Sequence, residues 1–494
     1  MTWPQLNADH AIVTAEQMTF FENQILSSGL PEEALMEKVG QAMTRWLLQH
    51  QSLIERGVIV LVGPGHNGGD GLVIARELHL AGVGVSFWCP FPLKKKLTIN
   101  QFEHAKWLGV KELETIPNIL DESIWLDAVF GLGQQRELPI ELADLFRSRQ
   151  TNLPGKLISI DVPSGICSDF GKPFKTGAAY ASFTLVVGLF KRGLIQDYAI
   201  PYVGNLVRFD IGILEKRLIK LSSEIPLRIS SSDLTSFDWP ELSSKASKYE
   251  RGRVLIISGS EKYKGAAYLS IRGALSSGTG SLQVAIPKSL ADFVPQYAPE
   301  VVLAGLLEHS PDQSVLIGEF LKEKNLNRID SLLIGPGLGV SDESWEHFSL
   351  KLKEFSGLLV LDADALNRLA ISREGWEWLK GREGRTIITP HLKEFRRLFK
   401  TLDCSDPLNA AKQAAEMSGA GVLLKCAHSV FATPSGRLWQ LGDSAPWVAR
   451  TGLGDVLAGF LAGVGAMGVA SMKGPEWDLF AASALIHSEA ARNC

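Results

Sequence analysis

Residues 60–71 read VLVGPGHNGGDG, an apolar run that passes into five glycines interspersed with Asn67 and Asp70. The apolar run predicts a buried strand, and open α/β sheets bind ligands just beyond the carboxyl end of such a strand. Backbone N–H groups of closely spaced glycines can approach phosphate oxygens, while the two polar side chains add further chemistry. The stretch therefore predicts an α/β domain with a nucleotide-like ligand at the turn 63–71.

A second stretch, residues 331–337, nearly repeats the first as SLLIGPG. It also ends an apolar run in Gly-Pro-Gly, and it lies far from the first stretch along the chain. The repeat predicts a second ligand site at a second sheet edge. Two such turns do not by themselves establish an internal duplication.

The chain has 494 residues, too many for one ordinary core, and this length predicts two domains of roughly 200–250 residues each. A net charge of −4 gives no basic surface for nucleic acid or an anionic membrane. The five cysteines are scattered without a Cys-x-x-Cys pair, so we expect neither disulfides nor a zinc site, and a cytoplasmic location. The N-terminus has no basic segment followed by an apolar one, so no signal peptide is expected.

One uncharged segment, residues 456–472, raises the question of a membrane span. It is slightly short for a bilayer and rich in glycine. These features favour a buried core helix that packs closely through small residues. We therefore expect no membrane contact.

The first half of the chain alternates short apolar runs with amphipathic segments. Such alternation predicts a parallel sheet covered on both faces. The predicted helices are two within 15–50 and one at 72–81, and the predicted strands are 57–62, 83–88, 124–130, 156–160 and 181–187.

The composition changes at residues 222–247, where serines cluster with two prolines, and this change predicts a linker. The predicted domains are therefore 1–221 and 248–494. In the second domain the strand–helix alternation resumes, with strands predicted at 253–257, 281–286, 331–334, 358–361, 386–389 and 422–424.

The glycines at 63, 65 and 68 also match the Gly-x-Gly-x-x-Gly spacing of dinucleotide-binding dehydrogenases. That fingerprint needs an acidic residue about 20 positions later, at the end of the second strand, to hold the ribose. Here the second strand ends in Trp88-Cys89-Pro90, without an acid. A dehydrogenase is therefore disfavoured.

Two further acids, Asp127 and Asp161, end or follow predicted strands, and Ser164 comes shortly after the second. They are expected at the same sheet edge as the glycine-rich turn. Together with Asn67, Asp127 and Ser164 could present oxygen atoms to a hard cation. The alternative is that each acid only caps the following turn.

The strings GPGHNGGDG (63–71), DAVFGLG (127–133) and IDVPSG (160–165) resemble the Rossmann-like NAD(P)HX epimerase domain of NAD(P)H-hydrate repair enzymes. The resemblance implies that potassium binds at Asn67, Asp127 and Ser164, and that Asp161 transfers a proton. The family usually has Asn where His66 stands, and we expect this change to retune the site without abolishing its function. The implied substrate-binding residues are His66, Asn67, Gly68, Gly69, Asp70, Gly131, Leu132, Gly133, Gln134, Gln135, Arg136, Glu137 and Asp161.

In the second half, residues 450–459 read RTGLGDVLAG. A Gly-x-Gly-Asp turn that opens an apolar helix offers N–H groups and a positive dipole end to an anion, with a carboxylate beside it. Phosphoryl transfer needs such a cradle and a base that accepts the proton of the attacking hydroxyl. The alternative is an ordinary acid in the first turn of a helix. The Walker and protein-kinase motifs are both missing from the sequence.

This turn resembles the ribokinase-like superfamily, and specifically the ADP-dependent NAD(P)HX dehydratase, which shares GRVLIISGS (252–260), YKGAA (263–267), IGPGLG (334–339), LDADALN (361–367), TPH (389–391) and LKCAHS (424–429). The resemblance makes Asp455 the catalytic base. It implies a hydrate pocket lined by Ala266, Gly337, His391 and Asp455, and nucleotide binding by Lys425, Cys426, Ala427, His428, Ser429 and Gly454. Cys426 replaces the usual Gly, and Leu392-Lys393 replaces a Pro-Gly step. Without the resemblance, a core histidine would be the favoured interpretation of His391.

The two resemblances predict a bifunctional isomerase and lyase of two three-layer α/β/α domains that acts on NADHX and NADPHX. The first domain epimerises the hydrate at C6, and the second dehydrates the S form with ADP and Mg²⁺, giving NAD(P)H, AMP and phosphate. The expected protein is cytoplasmic and homo-oligomeric. Two alternatives remain open at this point: a vitamin-precursor kinase for the second half, and a non-catalytic binding module for the first. The residues alone do not distinguish ADP from ATP as the donor.

Overall fold

The computed structural model of the chain describes residues 3–219, 225–240, 243–311, 313–340, 343, 345–443, 449–471 and 476–493. The chain divides into two compact units, Leu6–Ile225 and Pro226–Cys494, and Met1–Gln5 belongs to the second. The predicted boundary at residue 221 lies outside the described residues. The same is true of residues 222–224 and 241–242 of the predicted linker.

The first unit is built on a seven-stranded, wholly parallel sheet with the order β4-β3-β2-β5-β6-β7-β9. Its strands are β1 (Ile12–Val13), β2 (Val58–Val62), β3 (Val85–Trp88), β4 (Lys111–Glu112), β5 (Ile124–Ala128), β6 (Leu157–Ile160), β7 (Phe183–Val187), β8 (Phe190–Lys191) and β9 (Asn205–Phe209). Its helices are α1 (Ala15–Ser27), α2 (Glu32–Gln49), α3 (Gln51–Ile54), α4 (His66–Leu80), α5 (Lys96–Trp107), α6 (Ile140–Asn152), α7 (Ile200–Val203) and α8 (Glu215–Ile219). Strands β1 and β8 form a separate parallel pair.

The second unit contains a ten-stranded sheet with the order β10-β19-β18-β17-β16-β15-β14-β11-β12-β13, parallel except for β18. Its strands are β10 (Leu227–Ile229), β11 (Arg253–Ile257), β12 (Ser281–Pro287), β13 (Val302–Leu307), β14 (Ser331–Ile334), β15 (Leu358–Leu361), β16 (Thr386–Ile388), β17 (Gly421–Leu424), β18 (Val430–Ala432) and β19 (Leu438–Leu441). Its helices are α9 (Lys264–Ser276), α10 (Val294–Tyr297), α11 (Gly318–Glu323), α12 (Glu346–Glu354), α13 (Asp364–Ile371), α14 (Leu392–Leu398), α15 (Pro407–Ser418), α16 (Leu453–Ala470) and α17 (Trp477–Arg492).

Both sheets are covered on both faces, as predicted. In the first unit, Gly71 of α4 packs against Val60, whereas the neighbouring Leu61 clusters with residues of α6. Successive strand residues point to opposite faces, so the two helices lie on opposite sides of the sheet. In the second unit, α16 packs against Leu358 through Gly465, while Leu359 belongs to the cluster on the other face. Each unit is a three-layer α/β/α domain.

The glycine-rich turn differs from the prediction, because α4 begins at His66 and not at residue 72. Close packing requires glycine at positions 63, 68 and 71. An added Cβ would lie 1.7 Å from the Val129 carbonyl oxygen at Gly63, and 2.1 Å from the Gly63 carbonyl oxygen at Gly68. At Gly71 it would lie 2.5 Å from the Ala128 Cβ. Tertiary packing here overrides the low helix propensity of glycine.

The uncharged segment is the core helix that we predicted, although Met472 lies outside the described residues. Helix α16 is long and apolar enough to cross a membrane by length and composition, but much of it is buried against the rest of the second unit. It crosses α9 at close range. An added Cβ at Gly459 would lie 2.0 Å from the Ser270 carbonyl oxygen, and one at Gly273 would lie 2.0 Å from that of Val456.

Part of the serine-rich segment forms structure. Leu227 and Ile229 are buried in β10, which pairs in parallel with β19 at the edge of the second sheet. Their apolar alternation outweighs the effect of the surrounding serines, and residues 226–240 belong to the second unit. The sequence also did not predict the two-residue strands β1, β4 and β8, or the longer strands β9, β13, β18 and β19.

Candidate functional sites at two sheet edges

The first candidate site lies at the carboxyl edge of the seven-stranded sheet. Strands β2, β5, β6 and β7 are neighbours in that sheet and all run parallel. Their carboxyl ends therefore bring together the glycine-rich turn, Asp127 of β5 and Asp161 after β6. The shared edge that we predicted for these residues is confirmed.

Asp127 is fully buried and saturated with hydrogen bonds. Its Oδ2 accepts from the Ser159 hydroxyl at 2.9 Å and the Ser164 backbone N–H at 2.8 Å, and its Oδ1 accepts from the Ser164 hydroxyl at 2.6 Å. Burial raises the pKa of Asp127, and these hydrogen bonds oppose the rise. Within the described chain, Asp127 forms no ion pair with a Lys, Arg or His. It is a buried carboxylate without a countercharge.

Phe130 links Asp127 to the other predicted cation ligands. Its carbonyl oxygen accepts from Asn67 Nδ2 at 3.0 Å, and its N–H donates to the Ser164 hydroxyl at 2.9 Å. Asn67, Ser164 and Asp127 therefore converge as predicted. The result is a small group of carboxylate, hydroxyl, amide and carbonyl oxygens.

Asp161 is fixed from several sides. It has a φ of 67°, a rare left-handed conformation for a residue other than glycine. Its Oδ2 accepts from the Leu132 N–H at 3.1 Å, and its Oδ1 accepts from the Val187 N–H at 3.3 Å. Oδ1 also forms an ion pair with Lys191, whose side chain is completely buried. The sequence analysis missed Lys191, although its position just after the predicted strand 181–187 was a usable signal.

Two more carboxyl groups surround Asp161. The pKa of Glu22 is raised to about 7, mainly by burial and secondly by repulsion from Asp161. The same two causes raise the pKa of Asp70 well above its usual range, with a further contribution from Glu22. Asp70 was predicted as a site residue. Glu22 was not, because nothing distinguishes it from the other polar residues of α1.

The remaining predicted residues of the first site are more exposed. Gln134 accepts from the Gly165 N–H at 2.8 Å and thereby ties the loop 131–137 to the turn after β6. Gly133 and the following residues Gln135, Arg136 and Glu137 are exposed. His66 pairs through Nδ1 with Glu32 at 2.9 Å, so the residue that departs from the family pattern has its own partner.

The second candidate site lies at the carboxyl edge of the ten-stranded sheet, where β11, β14, β15, β16 and β17 end side by side. The second Gly-Pro-Gly turn adopts left-handed geometry, with φ of 136° at Gly335 and 68° at Gly337. An added Cβ at Gly337 would lie 2.7 Å from that of Ala266. These two residues of the predicted hydrate pocket are therefore adjacent.

Lys425 and Asp362 form the electrostatic centre of the second edge. The Lys425 ammonium lies 2.7 Å from Asp362 Oδ1, and the Asp362 side chain is almost completely buried. Gly454 is close to the same ammonium, since an added Cβ there would lie 3.4 Å from Lys425 Nζ. The structure thus brings together Lys425 and Gly454, two residues predicted to bind the nucleotide.

Asp455 lies in the first turn of α16. Its pKa is raised to about 6, mainly by burial and secondly by repulsion from Asp362. Lys425 opposes this rise, and Asp364 adds a smaller contribution to it. At neutral pH the group is still mostly ionised, but it accepts a proton more readily than an ordinary aspartate. Asp455 therefore belongs to a charged network with Asp362, Asp364 and Lys425, in which Asp362 is buried.

His391 lies next to this network but has a structural task. It is the N-cap of α14, where its Nδ1 accepts from the backbone N–H groups of Lys393 and Glu394 at 3.1 and 3.3 Å. Its ring is half exposed, so it is not a core histidine. An isolated β-bridge between the backbones of His391 and Lys425 places His391 beside the predicted nucleotide turn. Leu392 and Lys393, which replace the Pro-Gly step, are the first two residues of α14.

The predicted nucleotide turn 425–429 connects β17 and β18. The Ser429 hydroxyl donates to the Cys426 carbonyl oxygen at 2.9 Å and accepts from the Cys426 N–H at 3.3 Å. His428 is buried and Ala427 is exposed.

The sequence did not predict the role of His487 at the second edge. His487 of α17 hydrogen-bonds to the backbone of Leu453, and burial lowers the pKa of its imidazole to about 4.

Comparisons with known proteins identify the family to which this chain is similar. Residues 254–494 match the family model described as NAD(P)H-hydrate dehydratase, and residues 32–193 match the YjeF-related protein N-terminus. A bifunctional NAD(P)H-hydrate repair enzyme of Synechocystis sp. is 37% identical over 92% of this chain and 85% of its own length. Its counterpart in Thermosynechococcus vestitus is 39% identical over 92% of this chain and 88% of its own length.

This chain belongs to the family of bifunctional NAD(P)H-hydrate repair enzymes. The predicted family and fold are confirmed, and the predicted pair of activities, epimerisation and ADP-dependent dehydration, is the pair that this family carries out. The vitamin-precursor kinase and the non-catalytic module do not fit these relatives. A solved ADP/ATP-dependent NAD(P)H-hydrate dehydratase from Bacillus subtilis is 23% identical, with a TM-score of 0.45 over 55% of this chain and 90% of its own.

Proposed function

We propose that the first unit epimerises the C6 hydroxyl of hydrated NADH and NADPH at the Asp161 edge, and that the second unit dehydrates the S form at the Asp455 edge. One observation supports the pair best. Each of the two sheets carries, at the carboxyl edge of its parallel strands, a group of carboxylates that includes a buried aspartate paired with a lysine. Such edges are where open α/β sheets hold ligands. ADP and hydrated NAD(P)H are the expected substrates.

In the first unit, Asp161 is the proposed proton-transfer group. Leu132, whose N–H meets the Asp161 carboxylate, belongs to the loop 131–137, which we propose contacts the hydrate together with residues 66–70. The helix α4 begins within this latter segment, so its positive dipole end is available to the pyrophosphate. The first unit thus offers an anion site and a carboxylate at one edge.

We propose that potassium is held by Asn67, Asp127 and Ser164. The donor set fits a hard monovalent cation, because it combines carboxylate, hydroxyl and amide oxygens with the nearby Phe130 carbonyl. A cation would also supply the countercharge that the buried Asp127 lacks. When bound, it would order the loop after β5 and favour an anionic substrate nearby.

In the second unit, Asp455 is the proposed base. It accepts the proton of the C6 hydroxyl while that oxygen attacks the terminal phosphoryl group of ADP, which releases AMP. Loss of phosphate from C6, together with a C5 proton, then restores the dihydronicotinamide. The turn 425–429 and Gly454 are the proposed nucleotide contacts, and Ala266, Gly337 and His391 the proposed hydrate contacts.

Magnesium is the proposed companion of the nucleotide in the second unit. Among the residues that the structure describes, no group of three His, Cys, Asp or Glu side chains is placed to hold a metal ion. The ion would therefore arrive with the ADP phosphates and neutralise their charge. A cytoplasmic location and a homo-oligomeric state complete the proposal.

The proposal is tested by incubating the purified full chain with mixed R and S hydrate, ADP and Mg²⁺ in potassium buffer. Complete recovery of NAD(P)H, faster than spontaneous epimer exchange allows, is the expected result. Exchange of potassium for tetramethylammonium should slow conversion of the R fraction and leave dehydration of the S fraction unchanged. A stable phosphorylated product instead of NAD(P)H would contradict the proposal for the second unit.

A further inference from the structure

The groups around Asp161 form a cluster, defined here as Glu22, Asp70, Asp161 and Lys191. Its members come from four separate elements: α1, α4, the turn after β6, and β8. Lys191 donates to Asp161 Oδ1 and to the Val187 carbonyl oxygen, and its side chain is wholly buried. A buried ammonium with two fixed acceptors has one orientation, so it holds one oxygen of Asp161 in place.

The second oxygen of Asp161 faces the other way. Oδ2 accepts from the Leu132 N–H at 3.1 Å, and an added Cβ at Gly131 would lie 3.3 Å from it. This oxygen therefore lies against the loop 131–137, on the side where the proposed function places the hydrate. Lys191 holds Oδ1 of Asp161, and the loop 131–137 contacts Oδ2, so Oδ2 faces the proposed hydrate site.

The charges of the cluster do not balance. Lys191 forms an ion pair with Asp161, while Glu22 and Asp70 place further carboxyl groups near Asp161. Burial and repulsion from Asp161 raise the pKa values of both neighbours. Among the described residues, Lys191 is therefore the cation that holds Asp161 in place beside its acidic neighbours.

We propose that Lys191 is a positioning residue that fixes Asp161 for proton transfer. This inference rests on the proposed epimerase function of the first unit. Lys191 acts through Asp161 and is not placed against the substrate.

The proton balance of the step is complete. Asp161 passes a proton to the C6 hydroxyl, the C6–O bond breaks with its electron pair on oxygen, and water leaves as the ring nitrogen donates its lone pair to C6. Water then adds to the opposite face of C6, and its extra proton returns to Asp161. No oxidant, reductant or further reactant is needed.

The first test concerns Lys191. In the full chain, K191M should slow conversion of the R hydrate by about 10²-fold through kcat, because a misplaced carboxylate loses its reaction geometry. The double variant K191M/D161N should be no slower than D161N, since Lys191 acts only through Asp161. K191R should recover part of the rate. Exposed K216M serves as the matched control and should match wild type.

A second measurement follows dehydration of pure S hydrate by each variant. It monitors the second unit and should match wild type.

The outcomes separate the inference from the function on which it rests. A wild-type chain that never converts the R hydrate overturns both. If the wild-type chain converts it, the inference alone is overturned when K191M retains the wild-type rate or when the K191M and D161N losses add in the double variant. Non-additive losses support it.

Discussion

The two proposed catalytic carboxylates have opposite environments. Asp161 is in direct contact with its own lysine, Lys191, and the raised pKa values lie on its neighbours Glu22 and Asp70. Among the described residues, Asp455 has no such contact, because the nearby Lys425 is paired with Asp362, and the pKa of Asp455 is raised to about 6. One unit pairs the proposed reacting carboxylate with a lysine. The other raises the pKa of the proposed reacting carboxylate itself.

This difference suits the two proposed reactions. Epimerisation must give a proton and take it back without net change, so a carboxylate that a lysine holds in one position is useful. Phosphoryl transfer needs a base that accepts one proton as the bond to phosphorus forms, and a carboxylate with a raised pKa does this better than an ordinary one. The same fold edge thus serves two kinds of proton transfer.

The largest effect is expected for Asp455→Asn. An amide cannot accept the proton of the C6 hydroxyl, so dehydration of the S hydrate should fall by about 10²–10⁴-fold. Exchange between R and S epimers should stay at the wild-type rate. Both are measured in one sample by chromatography of the hydrates. Dehydration that survives the change would assign the base to another residue.

The reciprocal change, Asp161→Asn, should slow enzymatic epimer exchange by about 10²-fold or more. Dehydration of pure S hydrate should be unaffected, so a mixed sample should stop after its S fraction and continue only at the spontaneous rate. Wild-type recovery of the R fraction by this variant would remove Asp161 from the mechanism.

The change Lys425→Met removes the lysine that pairs with Asp362 and lowers the pKa of Asp455 at the second edge. Asp362 would be left buried without its partner, which costs about 3–5 kcal/mol in the free energy of unfolding of the second unit. Loss of the positive charge should also raise the pKa of Asp455 further. Urea unfolding and the pH profile of dehydration measure the two effects. An unchanged stability would show that Asp362 does not depend on the pair.

The pH dependence of the wild-type chain gives a smaller but sharper signal. Asp455 must be ionised to act as a base, so dehydration should rise with pH through about 6 and level off above it. The rate of dehydration of pure S hydrate, measured between about pH 5 and pH 8, checks this. A rate that does not change in this range would contradict the role given to the raised pKa of Asp455.

The smallest effect is expected for His66→Asn, which restores the residue usual in the family. It removes the contact between His66 and Glu32 at the start of α4. Since that contact is partly exposed, we expect the KM for the R hydrate to change by less than about tenfold, with an unchanged kcat. A larger loss of kcat would give His66 a direct role in the chemistry.

Local patterns were enough to predict most of the sheet strands and the positions of Asp127 and Asp161 at one edge. These residues lie at the ends of apolar runs, and parallel strands bring such ends together. Lys425 and Asp362 also lie just after predicted strands, although the sequence did not show that they pair. The first turn of α4 was predicted as a loop because glycine has a low helix propensity. It is helical because Gly68 packs against Gly63, and Gly71 packs against Ala128, while Gly63 itself packs against Val129. Only the folded structure reveals this close packing.

The groups that sequence analysis missed have a common physical reason. Glu22 lies on α1 and His487 on α17, both on helices far along the chain from the residues they approach. Their importance comes from burial and from the charges that face them. Neither property is written in the local sequence, whereas a turn of closely spaced glycines is.

The most direct test of two separate proton-transfer edges is a mixing experiment with the two single variants. Asp161→Asn and Asp455→Asn should each leave mixed hydrate incompletely repaired with ADP and Mg²⁺. An equimolar mixture of the two should recover all of the NAD(P)H at a rate well above spontaneous epimer exchange, because each chain keeps one intact edge. A mixture that still stops after the S fraction would contradict the account.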